Sequence, residues 1–292
     1  MRCWRKTALT ARCRRGAPPT APSLGGSYPC AVRVLEALSA TARLAHLVRE
    51  RARFFTNALT RREAPARYHL RESGLAVYLR HGTTDVNTFE QIFRLGHYAL
   101  PSEVEGALER APGPWRVVDL GANAGFFGAF ILGRHPDASV IAYEPSPENL
   151  EVLRLTVGAN PELDWTIVGA AAGVEDGEVS FQSGLFTNSY VAPVGGAGTI
   201  SVPSVDVFRS LGAVDLLKID IEGSEWPILA DPRFRSVPGV VALEYHPHLC
   251  PGEDPHAEAK RLLRESGLMT LESEFEALPG HGMLWAWPGG PD

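Results

Sequence analysis

The chain predicts an α/β fold: a doubly wound, mostly parallel sheet with helices on both faces. Three observations carry this. From Trp115 onward, short apolar runs alternate with helical stretches. Runs such as Val140-Ile141-Ala142-Tyr143 are apolar throughout, as parallel strands covered on both faces are. The segment from Val117 to Gly125, Val-Val-Asp-Leu-Gly-Ala-Asn-Ala-Gly, reads as a buried strand, a tight glycine turn and the start of a helix.

Residues 1–30 contain Arg, Pro, Gly and Ser, have no acidic residue and show no periodicity. They are expected to form a disordered basic tail. An organelle transit peptide, a start codon placed too far upstream and a tail touching an anionic surface all fit, and the misplaced start is favoured. Residues 31–66 are expected to form a helical extension. Over 31–59, Val34, Leu35, Leu38, Leu44, Leu47, Val48, Phe54, Phe55 and Leu59 recur at helical spacing, with arginines on much of the other face. Packing on the body of the protein is the plain reading, and a membrane-surface helix the sharper one.

The α/β domain is expected over 67–292. Tyr68–Arg80 alternates as a short hairpin. Thr84 or Asp85 caps a helix running through Phe89, Ile92 and Phe93, and Pro101-Ser102 starts another. Strands are predicted at 116–120, 139–143, 165–169, 214–219, 239–244, 268–272 and 282–287, with shorter ones at 177–182 and 199–203. Helices are predicted at 125–134, 147–158, 225–231 and 255–266, and there are no internal repeats.

Of the 292 residues 45% are apolar, enough for a full core, and no apolar run is long enough to span a membrane. The four cysteines form no Cys-x-x-Cys pair, which argues against a zinc site and a disulfide framework and fits a reducing, cytoplasmic setting. Residues 1–72 carry 15 Lys+Arg against 4 Asp+Glu, whereas the rest carries 13 against 30. The acidic body should repel nucleic acid phosphates, and any membrane contact falls to the basic N-terminal region.

Chemistry concentrates at three strand ends. At the first, the turn lacks the glycines of a dinucleotide fingerprint, since Asn123 and Phe126 stand where glycine belongs, and it lacks a P-loop ending. The turn therefore suits a nucleoside ligand with no pyrophosphate, S-adenosyl-L-methionine. Asp119 and Glu144, ending adjacent strands, both point to the ligand crevice, with Glu144 expected to hold the ribose hydroxyls. A carboxylate capping the next helix is the plainer reading of Glu144. Pro145, Ser146 and Pro147 then start that helix.

At the second strand end, Lys218, Asp220 and Glu222 share a face if the strand persists, and a lysine on a central strand needs one of these acids as partner. At the third, Glu244 and His246 follow an apolar run. His246 can take a proton near neutral pH, and a structural histidine is the alternative. His248 and Cys250 are weaker candidates. Asp220, Glu222, Glu244 and His246 form an oxygen-rich set that suits Mg²⁺ better than zinc, though nothing in the spacing demands a metal, and none is assigned.

These segments together resemble the FkbM family of S-adenosylmethionine-dependent methyltransferases over about residues 75–250. The stretch Asp119-Leu-Gly-Ala-Asn-Ala-Gly with Tyr143-Glu-Pro-Ser-Pro147 is similar to the cofactor motifs. Leu217-Lys-Ile-Asp-Ile-Glu-Gly-Ser-Glu225 is similar to the more specific Lys-x-Asp-x-Glu-Gly-x-Glu signature. Arg80-x-Gly-Thr-Thr-Asp85 with Phe89, Phe93 and Tyr98 looks like the family's upstream segment, and Ser201–Asp206 like one of its strands.

The resemblance implies a Rossmann-like class I methyltransferase sheet of seven strands with an antiparallel last strand. It implies O-methylation of a sugar or natural-product hydroxyl, with S-adenosyl-L-methionine as cofactor. Asp119, Gly121, Asn123, Gly125, Glu144, Pro145 and Ser146 would serve the cofactor. Asp220 and Glu222 would face the acceptor, and His246 or Asp220 would be the base. Phe126, Phe186, Tyr190 and Trp226 either line the site or, as the favoured reading, pack the core. The rivals are a non-catalytic cofactor-binding module and a methyltransferase with another acceptor, such as a lipid-linked glycan. A base N-methyltransferase is disfavoured, because Asp220-Ile-Glu-Gly stands where an Asn/Asp-Pro-Pro-aromatic turn belongs.

Overall fold

The computed structural model describes residues 30–182, 190–191, 199–212, 214–237, 239–273 and 280–289. The basic tail read over residues 1–30 lies outside these except for Cys30. Phe186 also lies outside, and so does the side chain of Tyr190. Ala40–Asp292 form one compact unit and Met1–Ser39 another, in which the described residues are helical.

The helical periodicity over 31–59 folds as two helices, α1 (Cys30–Ala45) and α2 (Arg51–Leu59). Between them the chain turns extended. Val48 pairs with Leu70, the Arg49 N–H donates to the His69 carbonyl (2.9 Å) and the Arg71 N–H to the Leu47 carbonyl (2.8 Å). Backbone pairing thus overrides the apolar spacing that ran through this stretch. The hairpin follows as β1 (Ala66–His69) and β2 (Ala76–Leu79). Then come α3 (Asp85–Glu90), continued by a π-helical turn over Gln91–Leu95, and α4 (Ser102–Leu108). Neither Thr84 nor Asp85 caps α3 with its side chain, because the Asp85 carboxylate turns back to Arg80.

The alternating region contains β3 (Arg116–Leu120), α5 (Phe126–Leu132), β4 (Ser139–Tyr143), α6 (Pro147–Gly158) and β5 (Asp164–Val168). An outlying sheet follows, made of β6 (Ala171–Gly173), β7 (Gly177–Gln182), β8 (Tyr190–Val191) and β9 (Thr199–Asp206), in the order β6-β9-β7-β8. The main sheet resumes with α7 (Phe208–Leu211), β10 (Leu216–Ile219), α8 (Glu225–Ala230), β11 (Val240–Tyr245), α9 (Pro255–Glu265), β12 (Leu268–Glu272) and β13 (Gly282–Pro288). The predicted elements are present, with ends shifted by up to three residues.

The main sheet has seven strands in the order β12-β13-β11-β10-β3-β4-β5. Strands β11, β10, β3, β4 and β5 are parallel, and β13 runs antiparallel to both neighbours. This is the Rossmann-like class I methyltransferase arrangement that the sequence implied. Period-two alternation sends Val117, Val140, Leu216 and Val240 to one face. There they pack with α5 and α6 residues such as Phe127, Ile131 and Leu153. Val118, Leu217, Ile219, Val241 and Leu243 go to the other face with Trp226, Phe234 and Leu263. Chain order reverses between β3 and β10, so a crevice opens at their carboxyl ends. No helix among the described residues is long and apolar enough to cross a membrane.

Candidate active site

The turn after β3 takes three left-handed residues, Gly121 (φ 82°), Asn123 (φ 51°) and Gly125 (φ 85°). Gly121 has a second reason to be glycine. A Cβ there would lie 1.9 Å from the Asp220 carbonyl oxygen, so backbone packs directly on backbone. The N–H groups of Gly121 and Ala122 both donate to the Tyr143 carbonyl at the end of β4. Asn123 donates its N–H to Glu144 Oε2 (2.8 Å), and Ser146 donates to Oε1 (2.8 Å). Glu144 is buried, and burial pushes its carboxyl up to about 7 against the pull of these N–H groups.

These groups border a cavity of about 460 Å³, in the size range of small-molecule sites. Its wall includes Gly121, Asn123, Phe126, Glu144 and Pro145 from the turn side, and Asp220, Glu222, Glu244 and His246 from the other. Thr84, Asn87, Thr88 and Gln91 add one polar face of α3 and the turn after it. Asp119, Gly125 and Ser146 are not on the wall, contrary to the crevice-facing reading of Asp119. Asp119 is fully buried and pairs with Lys218 Nζ at 3.1 Å. Gly125 abuts Leu153 and Trp165. Ser146 is the N-cap of α6, accepting the Asn149 N–H, so the capping role falls to it rather than to Glu144. Trp226 packs in the core and donates its indole N–H to the His248 carbonyl. Phe126 does both things, lying buried in the core and on the cavity wall.

On the opposite side, β10 ends at Ile219, so alternation does not carry Asp220 and Glu222 forward. A turn does, with Glu222 left-handed (φ 53°) and Gly223 at φ 99°. Lys218 meets Asp119 first and Asp220 second (3.4 Å) and donates to the Gly121 carbonyl (2.9 Å). Burial opposes its charge, yet Asp119 and Asp220 hold the ammonium above its ordinary range. His246 Nε2 stands 3.6 Å from Glu222 Oε2 and 3.9 Å from Asp220 Oδ1. Burial disfavours a charged imidazole, but the Glu225 hydrogen bond and the Asp220 and Glu222 carboxylates outweigh it and push His246 up to about 9. Burial likewise raises Glu222, to about 7. It also raises Glu244, which accepts the Tyr98 hydroxyl.

Sequence reasoning missed two supports. Glu225, wholly buried, accepts the His246 N–H (2.7 Å) and Nδ1 (3.2 Å) on Oε1, and the Gly223 N–H (2.7 Å) on Oε2. It was visible only as the last letter of the Lys-x-Asp-x-Glu-Gly-x-Glu signature. The second support is Arg80. It forks onto Asp85 (2.7 and 2.8 Å), then reaches the Glu148 carbonyl and Asn149 Oδ1 at the start of α6. Asn149 in turn contacts Glu144 at 3.5 Å. The upstream segment is thereby fastened to the helix behind Glu144.

Residues 119–267 match the Methyltransferase FkbM domain, about half of the chain and both sides of this cavity. The chain belongs to the FkbM methyltransferase family. It is similar to Methyltransferase sdnD of Sordaria araneosa, with 26% identity over 204 residues, 56% of this chain and 77% of that protein. Among solved structures it is similar to methyltransferase FkbM from Methylobacillus flagellatus KT (TM-score 0.47, 14% identity). That match covers 88% of this chain and 60% of the other. It is also similar to TYW2 of M. jannaschii, determined in complex with AdoMet (TM-score 0.40, 14% identity, 77% and 85% covered). Membership in FkbM supports S-adenosylmethionine-dependent methyl transfer as this chain's reaction class.

Proposed function

We propose that this FkbM protein is an O-methyltransferase that moves the methyl group of S-adenosylmethionine to a hydroxyl of a sugar or natural-product acceptor. One observation supports this above others. Gly121 packs on the backbone of Asp220, so the glycine turn and the acidic cluster border one cavity. The cavity also suits the cofactor. Glu144 uses each oxygen for one backbone N–H and keeps further lone pairs for ribose hydroxyls. Acidic side chains at Glu144, Asp220, Glu222 and Glu244 outnumber the Lys218 and His246 cations on the wall, a balance that suits a cationic ligand.

The cofactor supplies an electrophilic methyl group when bound. The residues must hold an acceptor oxygen in line with it, keep water out and take up the hydroxyl proton. Alignment carries much of such an acceleration. A general base adds about 10²–10⁴-fold. Sequence left that base between His246 and Asp220. The charge that the Glu225 hydrogen bond and the Asp220 and Glu222 carboxylates hold on His246 weighs against the imidazole as that base, and we assign the role to Asp220. Glu222 and His246 then position the acceptor.

Calorimetric titration with S-adenosylhomocysteine tests the cofactor half. Wild type should bind in the micromolar range. Glu144→Ala should weaken binding by about 10–150-fold, the worth of charged hydrogen bonds. No binding by folded wild type would remove the proposal. Label transfer from methyl-labelled cofactor to a panel of hydroxylated acceptors tests the other half. Label found only on nitrogen would exclude O-methylation.

A further inference from the structure

We propose that Asp220, Glu222 and His246 bind one divalent cation of the Mn²⁺ or Mg²⁺ class on the far wall of the cavity. This goes beyond methyl transfer and does not depend on it. The three side chains come from the turn after β10 and the end of β11, and their donor atoms all lie within 4.8 Å of one another. His246 Nε2 is 3.6 Å from Glu222 Oε2 and 3.9 Å from Asp220 Oδ1. These separations are too long for hydrogen bonds. They lie somewhat above the roughly 3.0–3.5 Å between neighbouring ligands of an ion bound at about 2.1 Å, so the three groups would draw together slightly around an ion.

A second observation comes from behind the cluster. His246 is 3% exposed. Its Nδ1 and its backbone N–H both rest on Glu225 Oε1, and Glu225 is itself fully buried and outside the donor set. The ring is therefore fixed, and Nε2 is left to the Asp220 and Glu222 carboxylates, with His246 on the cavity wall. A carboxylate on one imidazole nitrogen is how proteins orient a histidine whose other nitrogen meets a metal. One nitrogen and two carboxylate oxygens suit Mn²⁺ or Mg²⁺ rather than a thiolate-seeking metal.

The exchange balances without redox change. A proton leaves Nε2 for solvent as the nitrogen–metal bond forms, and the two carboxylates neutralise the ion. An acceptor hydroxyl joining the ion as a further ligand would give up its proton more readily. Asp220 would meet the ion through Oδ1, leaving Oδ2, 3.4 Å from Lys218, as the oxygen that takes the hydroxyl proton.

The test is titration of the full-length, chelator-stripped protein with MnCl₂, following free Mn²⁺ by its electron paramagnetic resonance signal. Wild type should bind one ion per chain, and Mg²⁺ should compete. Asp220→Asn and the isosteric Glu222→Gln should each weaken binding by at least about tenfold. Glu225→Gln should cost about 10–100-fold, as loss of an orienting partner does. Glu272→Gln, on the surface, should change nothing. Circular dichroism establishes that each variant is folded. No binding to folded wild type at millimolar Mn²⁺ would overturn the site. So would binding that Glu222→Gln and Asp220→Asn both leave intact. A parallel S-adenosylhomocysteine titration separates the two claims. Mn²⁺ binding without it supports the ion site and removes the methyl-transfer reading, and the reverse overturns the ion site alone.

Discussion

On the β3–β4 side of the cavity, Gly121, Asn123 and Glu144 are set by backbone. Positive φ angles, N–H groups on the Tyr143 carbonyl and N–H groups on the Glu144 carboxylate fix the turn that borders the cavity. On the β10–β11 side, Asp220, Glu222 and His246 are set by charge, with Lys218 and Glu225 holding them from behind. Backbone geometry gives a shape in which Glu144 is the one titrating group among these three residues. A cluster of like charges gives groups whose protonation states depend on one another. The first suits recognition of a constant ligand. The second suits proton handling and, with different surroundings, different acceptors.

The widest separation between the sides should come from Asp220→Asn. Asn takes no proton but keeps the shape, so kcat should fall by about 10²–10⁴-fold. S-adenosylhomocysteine affinity should stay within about threefold, because the Gly121 contact uses the Asp220 backbone. Rapid-mix turnover beside calorimetry reads both. A parallel loss of affinity and kcat would show that the two sides are not separable.

The next effect belongs to the turn side. Arg80→Met leaves the Asp85 carboxylate buried without its partner, and such a loss costs about 3–5 kcal/mol. Denaturant unfolding should show that loss. Surviving folded protein should bind S-adenosylhomocysteine more weakly, because Asn149 and with it Glu144 lose a support. Asp85→Asn, which keeps one acceptor, should cost less. Equal losses in the two variants would mean that the fork is not what holds the segment.

The two sides also differed in how far sequence could be read. The turn side is local. Strand, glycine turn and Glu144 lie within 30 residues, and the departures from a dinucleotide fingerprint pointed away from a pyrophosphate ligand. The sheet was legible for the same reason, since period-two apolar runs fix which residues face which layer. On the other side, Asp220, Glu222 and His246 could be named but not related. The Lys218–Asp119 pair follows from the register of β10 against β3, which no single segment contains. Glu225 reaches His246 only because α8 starts beside the end of β11. Arg80 looked like part of a motif with Asp85, but its further partners lie 68 and 69 residues away. The helix expected to run on past Ala45 stopped because Val48 had a partner at Leu70.

The smallest effect concerns pH, and it asks whether the turn side is as indifferent to protons as its backbone suggests. His81 follows Arg80 and is buried, its Nε2 bonded to the Tyr68 hydroxyl (2.8 Å) and its ring edge-on to Phe54. Burial pushes its pKa down to about 4, with Asp85 opposing only in part. The folded protein therefore binds fewer protons than the unfolded chain between about pH 4 and 6.5. Stability must rise with pH through that window and fall on acidification. A shift of this size is worth up to about 3 kcal/mol, fully present above pH 6.5 and lost as pH approaches 4. His81→Gln removes the titrating group, so its unfolding free energy should fall less steeply over that window. If the wild-type and variant slopes coincide, acid sensitivity arises elsewhere, and the charge cluster across the cavity is where to look for it.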